Sequence, residues 1–210
     1  MKRIAVLVSG GGTNLQSLID AQKAGHIQNG ALAAVLSSSP TAYALERARE
    51  AGIPGYVVAR KDFPGNREMT QAIVSQLRAL DIDLVVLAGF LHILTDEMVA
   101  AYPNRILNVH PALIPSFCGA GYYGLHVHEA ALAYGVKLTG ATVHFVNEEP
   151  DGGPIILQKE VAILPGDTPQ LLQRRVMEQA EWVILPRAVS LFCQDRLRVE
   201  GRLVHIKEDT

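Results

Sequence analysis

The amino-acid sequence predicts an α/β fold, a mostly parallel twisted sheet with helices on both faces. Three observations carry that expectation. Short, nearly continuous apolar runs recur at residues 3–8 (RIAVLV), 31–36 (ALAAVL) and 83–88 (DLVVLA), as in strands buried on both faces. Segments with apolar residues at helical spacing lie between them. Strand and helix alternate, an order that needs crossover connections and so a parallel sheet. With 210 residues, 49% hydrophobic and 19% charged, the chain can build a full core and lacks the composition of a disordered one.

Residues 3–8 form the first strand, and Ser9-Gly10-Gly11-Gly12-Thr13-Asn14 breaks it. A helix follows, with Leu15, Leu18 and Ile19 at i, i+3 and i+4. The next position of that stripe is the polar Gln22, so its apolar face is short. Next come a strand at 31–36, a helix over 42–52 ending at Gly52, and a short strand at 55–59. A helix over 66–80 aligns Met69, Ile73, Leu77 and Leu80, and strands at 83–88 and 105–109 (RILNV) follow. Residues 110–126 (HPALIPSFCGAGYYGLH) are rich in Pro, Gly and aromatic residues and read as a long irregular loop, a class that is usually functional or mobile. Beyond it the pattern predicts a short helix at 127–134, strands at 138–146 and 154–163 around the loop NEEPDGG, and a helix from residue 168. Pro186 should kink or restart that last helix. The tail LRVEGRLVHI reads as a hairpin turning at Glu200-Gly201. No repeat, low-complexity tract or linker interrupts the chain, so 1–210 is expected to be one domain. Within it, residues 1–107 hold the glycine-rich break after the first strand and 108–210 begin at Asn108-Val109-His110-Pro111.

Charge and cysteine usage narrow the function classes. A net charge of −2 with scattered basic residues argues against a dedicated nucleic-acid or membrane-surface binder. The start MKRIAVLVSGGGTN has too short an apolar core for a signal peptide. No segment approaches the roughly 18 apolar residues of a membrane span. Cys118 and Cys193 are far apart, with no metal or redox spacing, so a cytoplasmic protein with free thiols is expected.

Two segments have the residues for chemistry. The glycine loop 9–14 joins the first strand to the first helix, where backbone N–H groups and the helix terminus favour an anion. Leu15 stands where a dinucleotide fingerprint needs its third glycine, and no Lys supplies a Walker motif, so a phosphate monoester fits better. A tight turn with Thr13 or Asn14 as helix cap is the plainer alternative. The second segment is Asn108-Val109-His110-Pro111. Asn108 and His110 are i and i+2 on a strand and point the same way, and Pro111 ends the ladder at the strand's carboxyl end, where open α/β sheets bind ligands. Alone, such a pair reads as a strand end with a hydrogen-bonded surface histidine. Asp151, in the turn Pro150-Asp151-Gly152-Gly153-Pro154, is by itself an ordinary turn former. Brought beside His110 it would raise the imidazole pKa, and the three would suit acyl transfer. No G-x-S-x-G nucleophile accompanies them, which favours direct attack by a substrate amine. His126 and His128 could join His110 on a metal, but that spacing is weak and no metal is expected. His144, in the alternating strand TVHFV, is expected to pack or hydrogen-bond near the site.

Several motifs in order resemble the glycinamide ribonucleotide formyltransferase family over almost the whole chain. They are SGGGTNLQ near the start, VVLAGFLHIL at 85–94, LNVHPALIPSF at 107–117, GATVHFVNEEPDGGPIILQ at 140–158 and AEWVILP at 180–186. The resemblance implies a Rossmann-like formyltransferase fold and transfer of formyl from 10-formyltetrahydrofolate to the glycyl amine of glycinamide ribonucleotide in purine biosynthesis. It implies His110 as proton donor, Asn108 as holder of the formyl oxygen, and Asp151 as the group that raises the His110 pKa. It also implies Gly12, Thr13 and Asn14 at the substrate phosphate, and Glu181 at the glycinamide end. The folate would lie along Leu91, His92, Ile93 and Leu94 and against the 146–151 loop, reaching Asn108, with Arg67 at its acidic tail. Small-molecule substrates, no nucleic acid, no membrane, and a monomer or homodimer complete the expectation.

Two departures stand out. His92 occupies a position where many relatives carry Arg, and 118–123 (CGAGYY) lengthens the loop after the HPxLxP motif, suggesting a mobile lid or an interface element. Rival readings are methionyl-tRNA formyltransferase-like activity, formyltetrahydrofolate hydrolysis, a non-catalytic nucleotide- or folate-binding module, and a nucleotide-dependent oxidoreductase. The first two normally carry an extra domain. A pure binder need not keep the trio, and the missing third glycine counts against the last.

Overall fold

Strand β1 (Lys2–Val8) lies inside the main sheet of a computed structural model that describes residues 1–207, and its last five residues are buried. Around it run α1 (Thr13–Lys23), β2 (Gly30–Ser37), α2 (Tyr43–Glu50), β3 (Gly55–Val57), α3 (Asn66–Ala79), β4 (Leu84–Leu87), α4 (Asp96–Ala101) and β5 (Ile106–His110). The second half adds α5 (Leu125–Tyr134), β6 (Leu138–Phe145), β7 (Ile155–Ala162), α6 (Pro169–Val176), α7 (Trp182–Cys193) and the hairpin β8 (Leu197–Glu200), β9 (Leu203–Ile206). Strands β1 to β7 form one sheet in the order β3-β2-β1-β4-β5-β6-β7. The pairs among β1 to β5 are parallel, while β6 and β7 are antiparallel additions. The chain moves outward from β1 to β3 and then returns to β4 on the other side of β1. That reversal leaves a crevice beyond the carboxyl ends of β1 and β4.

Alternation along the strands sorts the core into two layers. Ile4, Val6, Val8, Leu107 and Val143 pack with Leu15 and Leu18 of α1, Ala44 of α2, Val176 of α6 and Leu185 of α7. Ala5, Leu7 and Leu36 pack on the opposite face with Met69, Ile73 and Leu77 of α3 and Met98 of α4. Helices thus cover both faces, as expected.

The differences from the sequence reading are local and have physical causes. Helix α4 was not anticipated: it has six residues and buries only Met98, too little apolar repetition to register as a period. Strand β3 stops at Val57 and the chain passes into a 3₁₀ turn at Arg60–Asp62. Pro186 lies inside α7, and the helical irregularity it predicts falls upstream, as a π-helical turn at Met177–Glu181. That turn ends just before Trp182, whose carbonyl is the one a proline at 186 cannot bond. The hairpin pairs Glu200 with Leu203, so its two-residue turn is Gly201-Arg202 and not Glu200-Gly201. No helix among the described residues is long and apolar enough to cross a membrane.

Candidate active site

Asn108 and His110 leave β5 on the face opposite Leu107 and Val109, and their antiparallel partners on β6 are His144 and Thr142. The β6–β7 connection supplies Asp151. Asp151 is held at φ 53, and the Gly152 N–H donates to the Glu149 carbonyl at 2.9 Å. A Cβ on Gly153 would lie 1.7 Å from the Phe145 carbonyl oxygen, so only glycine lets the connection fold this tightly onto β6.

The three residues meet. Asp151 Oδ2 is 3.4 Å from His110 Nδ1, and Asp151 Oδ1 accepts from Asn108 Nδ2 at 3.3 Å. The Gly119 N–H donates to Asp151 Oδ2 at 2.9 Å. His110 Nε2 lies 2.8 Å from the Phe117 carbonyl, and His144 Nδ1 lies 2.8 Å from the Phe145 carbonyl. A carbonyl only accepts, so each of those ring nitrogens carries a proton. His144 Nε2 lies 3.1 Å from Asn108 Nδ2 and 3.6 Å from Asp151 Oδ1. His144 thus hydrogen-bonds at the site, as expected.

Burial is the largest influence on His110, which is 4% exposed, and it holds the imidazole below the ordinary histidine range. The Asp151 carboxylate and the Phe117 carbonyl push upward, and His144 pushes downward. Asp151 therefore acts on His110 in the expected direction, but its effect is outweighed, and the net shift is the reverse of the expected rise. Burial alone would raise the Asp151 carboxyl. The His144 side chain, the His110 charge and the Gly119 N–H more than offset that and hold it below the usual carboxylate range. His126 is exposed and pairs with Glu129 at 2.9 Å, while His128 is buried with no partner on either ring nitrogen among the described residues. Burial, with His110 nearby, pushes His128 down to about 4.

Beside the trio is a cavity of about 200 Å³, lined by His92, Ile93 and Leu94, by Asn108 and His144, and by residues 146–151. Met98 and Val99 of the unanticipated α4 also line it. Two residues expected here are not in the lining. Leu91 is 64% exposed, and Arg67 pairs with Glu97 at 2.7 Å on the outer surface.

At the other end of the crevice, a Cβ on Gly10 or Gly11 would meet nothing within 4 Å, so that backbone is open to a ligand. Gly12 is different: at φ 72, its Cβ would lie 2.7 Å from that of Ala44. Gly12 is the N-cap of α1, and among the described residues no side chain caps the helix, so Thr13 and Asn14 do not take the plain capping role. Asn14 Nδ2 instead donates to Glu181 Oε2 at 2.6 Å, and buried Asn14 Oδ1 has no partner among the described residues. Glu181 is 6% exposed, and burial pushes its carboxyl up to about 7 against the opposing Asn14 hydrogen bond. Arg47 of α2 donates to the Gly11 carbonyl at 2.8 Å, a cation beside the loop that no sequence motif announces. The Ser9 N–H donates to the Gly89 carbonyl at 3.1 Å and the Leu91 N–H to Ser9 Oγ at 2.9 Å, tying this loop to the cavity wall.

The Formyl transferase family profile matches residues 2–189. The chain belongs to that family. It is 44% identical over 206 residues to the phosphoribosylglycinamide formyltransferase of Haemophilus influenzae, spanning 98% of this chain and 94% of that one. The human trifunctional purine biosynthetic protein adenosine-3 is 39% identical over 209 residues, 99% of this chain and 20% of its own length. Among solved structures, glycinamide ribonucleotide transformylase 1 from Symbiobacterium toebii superposes with a TM-score of 0.93 at 44% identity, covering 99% of this chain and 95% of that one.

For a formyltransferase the arrangement has the needed parts in one crevice. The amide of Asn108 and the carboxylate of Asp151 line a cavity with Ile93, Leu94 and Met98, His110 contacts that carboxylate, and hydrogen bonds through Ser9 tie the open glycine loop to the cavity wall. The shared face of Asn108 and His110 was legible from alternation. Arg47 and the Phe117 carbonyl were not, because each reaches the site through tertiary packing.

Proposed function

We propose that this formyltransferase transfers the formyl group of 10-formyltetrahydrofolate to the amine of glycinamide ribonucleotide in de novo purine biosynthesis, as a cytoplasmic enzyme. The observation that carries the reading is the meeting of Asn108, His110 and Asp151, with 3.4 Å between imidazole and carboxylate, at the edge of the cavity. The residues fit both substrates. The open backbone at Gly10 and Gly11, the uncapped α1 terminus and the unpartnered Asn14 Oδ1 suit a phosphorylated ligand. Buried Glu181 suits the amide end of the same molecule. Ile93 and Leu94 suit the apolar part of the folate.

The folate supplies an activated formyl group; the chain supplies positions and protons. As the amine attacks, negative charge develops on the formyl oxygen. Asn108 is placed to donate to it by giving up its long 3.3 Å contact with Asp151. The attacking amine gives up a proton to His110, Asp151 stabilises the imidazolium so formed, and His110 passes that proton to the folate nitrogen as its bond to the formyl carbon breaks. Direct attack is also supported by the chemistry of Cys118, the thiol nearest Asp151. Burial, with the Asp151 and Glu149 carboxylates, pushes it up, so it stays a thiol and is a poor nucleophile.

The test is an assay with purified protein and both substrates. Formylglycinamide ribonucleotide should appear, and 10-formyltetrahydrofolate should not be consumed when the ribonucleotide is left out. Consumption without the ribonucleotide would assign the chain to hydrolysis instead.

A further inference from the structure

We infer that residues 117–119 are a fixed clamp on the catalytic pair, with Phe117 as a positioning residue whose main-chain carbonyl keeps a proton on His110 Nε2. The proton that His110 exchanges is therefore the one on Nδ1, facing Asp151. The inference rests on the proposed formyl transfer for its catalytic meaning, though not for its geometry.

The clamp touches both members of the pair from one short stretch of backbone. The Phe117 carbonyl lies 2.8 Å from His110 Nε2, a full hydrogen bond. Two residues on, the Gly119 N–H donates at 2.9 Å to Asp151 Oδ2, the same oxygen that faces His110 Nδ1. The 3.4 Å between that oxygen and Nδ1 is longer than a good hydrogen bond, so a polar atom of the reacting group can compete for the Nδ1 proton. Turning the ring over would break the Phe117 contact, so the clamp also selects the ring orientation.

Such a contact needs an unusual backbone. Phe117 sits at φ 49, a conformation that a bulky side chain resists, and Gly119 at φ 86. Neighbouring contacts hold it there. The Phe117 ring meets Tyr122 and Tyr134 edge-on, with centroids 6.3 and 5.9 Å apart. The Tyr122 N–H donates to the Gly119 carbonyl at 3.1 Å, and the Ser116 N–H to the Leu113 carbonyl at 3.0 Å. Cys118 Sγ donates to the Pro115 carbonyl at 3.3 Å. These contacts brace the turn within 118–123, the segment whose glycines suggest a mobile lid or an interface element. The groups that face His110 are Asp151 from the β6–β7 connection, His144 from β6, the Phe117 carbonyl, and His128 from α5. His128, pushed down to about 4, is neutral at physiological pH and adds no competing charge.

The experiment reads the ring nitrogens of His110 by ¹⁵N NMR across pH, alongside kcat and KM. Wild-type neutral His110 should carry its proton on Nε2. Phe117→Val, whose β-branched side chain opposes the left-handed backbone, should move that proton to Nδ1. It should also lower kcat about tenfold, with both KM values little changed. Phe117→Asn, which tolerates that backbone, should keep the wild-type tautomer and pH profile. An Nδ1-protonated neutral His110 in the wild type overturns the clamp, as does a Val variant with unchanged tautomer and pH profile. If Phe117→Val does not fold, the wild-type tautomer alone decides. An Nε2 tautomer in a protein that forms no formylated ribonucleotide would leave the clamp standing and overturn the functional reading.

Discussion

Glu181 is buried against Asn14, and its carboxyl, pushed up to about 7 by burial, keeps its proton across a range where an unfolded chain would lose it. The sign of the stability effect follows. From the ordinary value of 4.5 up to about 7 the unfolded state releases its proton first, so the folded state loses stability as pH rises through that window. The loss is about 3 kcal/mol at most. Glu181→Gln keeps an acceptor for the Asn14 amide and removes the charge. It should therefore be more stable than wild type by about 2 kcal/mol in urea titrations near pH 8, and no more stable near pH 4.5. An equal difference at both pH values would show that Glu181 is not held protonated by burial. Its place in the site was implied by the resemblance alone, because nothing in the local pattern AEWVILP marks a buried carboxylate. Asn108 and His110 were different, since alternation on a strand before a proline already paired them. Asp151 was expected beside that pair and His144 near it, whereas the Phe117 carbonyl carries no sequence signature, being main chain.

The β6–β7 connection delivers Asp151, and Gly153 is the residue that lets it do so. A Cβ there would sit 1.7 Å from the Phe145 carbonyl oxygen, next to the 2.9 Å bond from the Phe145 N–H to the Pro154 carbonyl. Gly153→Ala must push the two segments apart. It should destabilise the protein by about 2–4 kcal/mol in denaturant titrations. It should also lower kcat about a hundredfold by displacing Asp151. Stability and turnover near those of wild type would mean that the connection has slack the geometry does not show. Elements with long apolar runs, such as β1 and α3, were legible within a residue or two of their ends. Helix α4 was not, because one buried methionine in six residues makes no period, and its contribution to the cavity through Met98 and Val99 went unseen with it. Pro186 was legible as a disturbance but not in position, since a helix can widen upstream of a proline rather than bend at it.

The whole molecule works by topology. Reversal of strand order at β1 and β4 opens a crevice whose walls come from distant parts of the chain: the loop after β1, the loop after β4, the end of β5, the β6–β7 connection and the π-helical turn before α7. Alternating strands and helices made the parallel sheet legible. The antiparallel addition of β6 and β7 was not, though it sets His144 opposite Asn108 and carries Asp151 to His110. In the proposed reaction this meeting performs formyl transfer with His110 as the proton donor. The most direct test is steady-state kinetics of formyl transfer to glycinamide ribonucleotide for wild type and His110→Ala. Product should form with the wild type, and kcat should fall about 10²–10⁴ in the variant, with KM for the ribonucleotide nearly unchanged. A His110→Ala protein that turns over like the wild type would contradict the proton-donor role of His110.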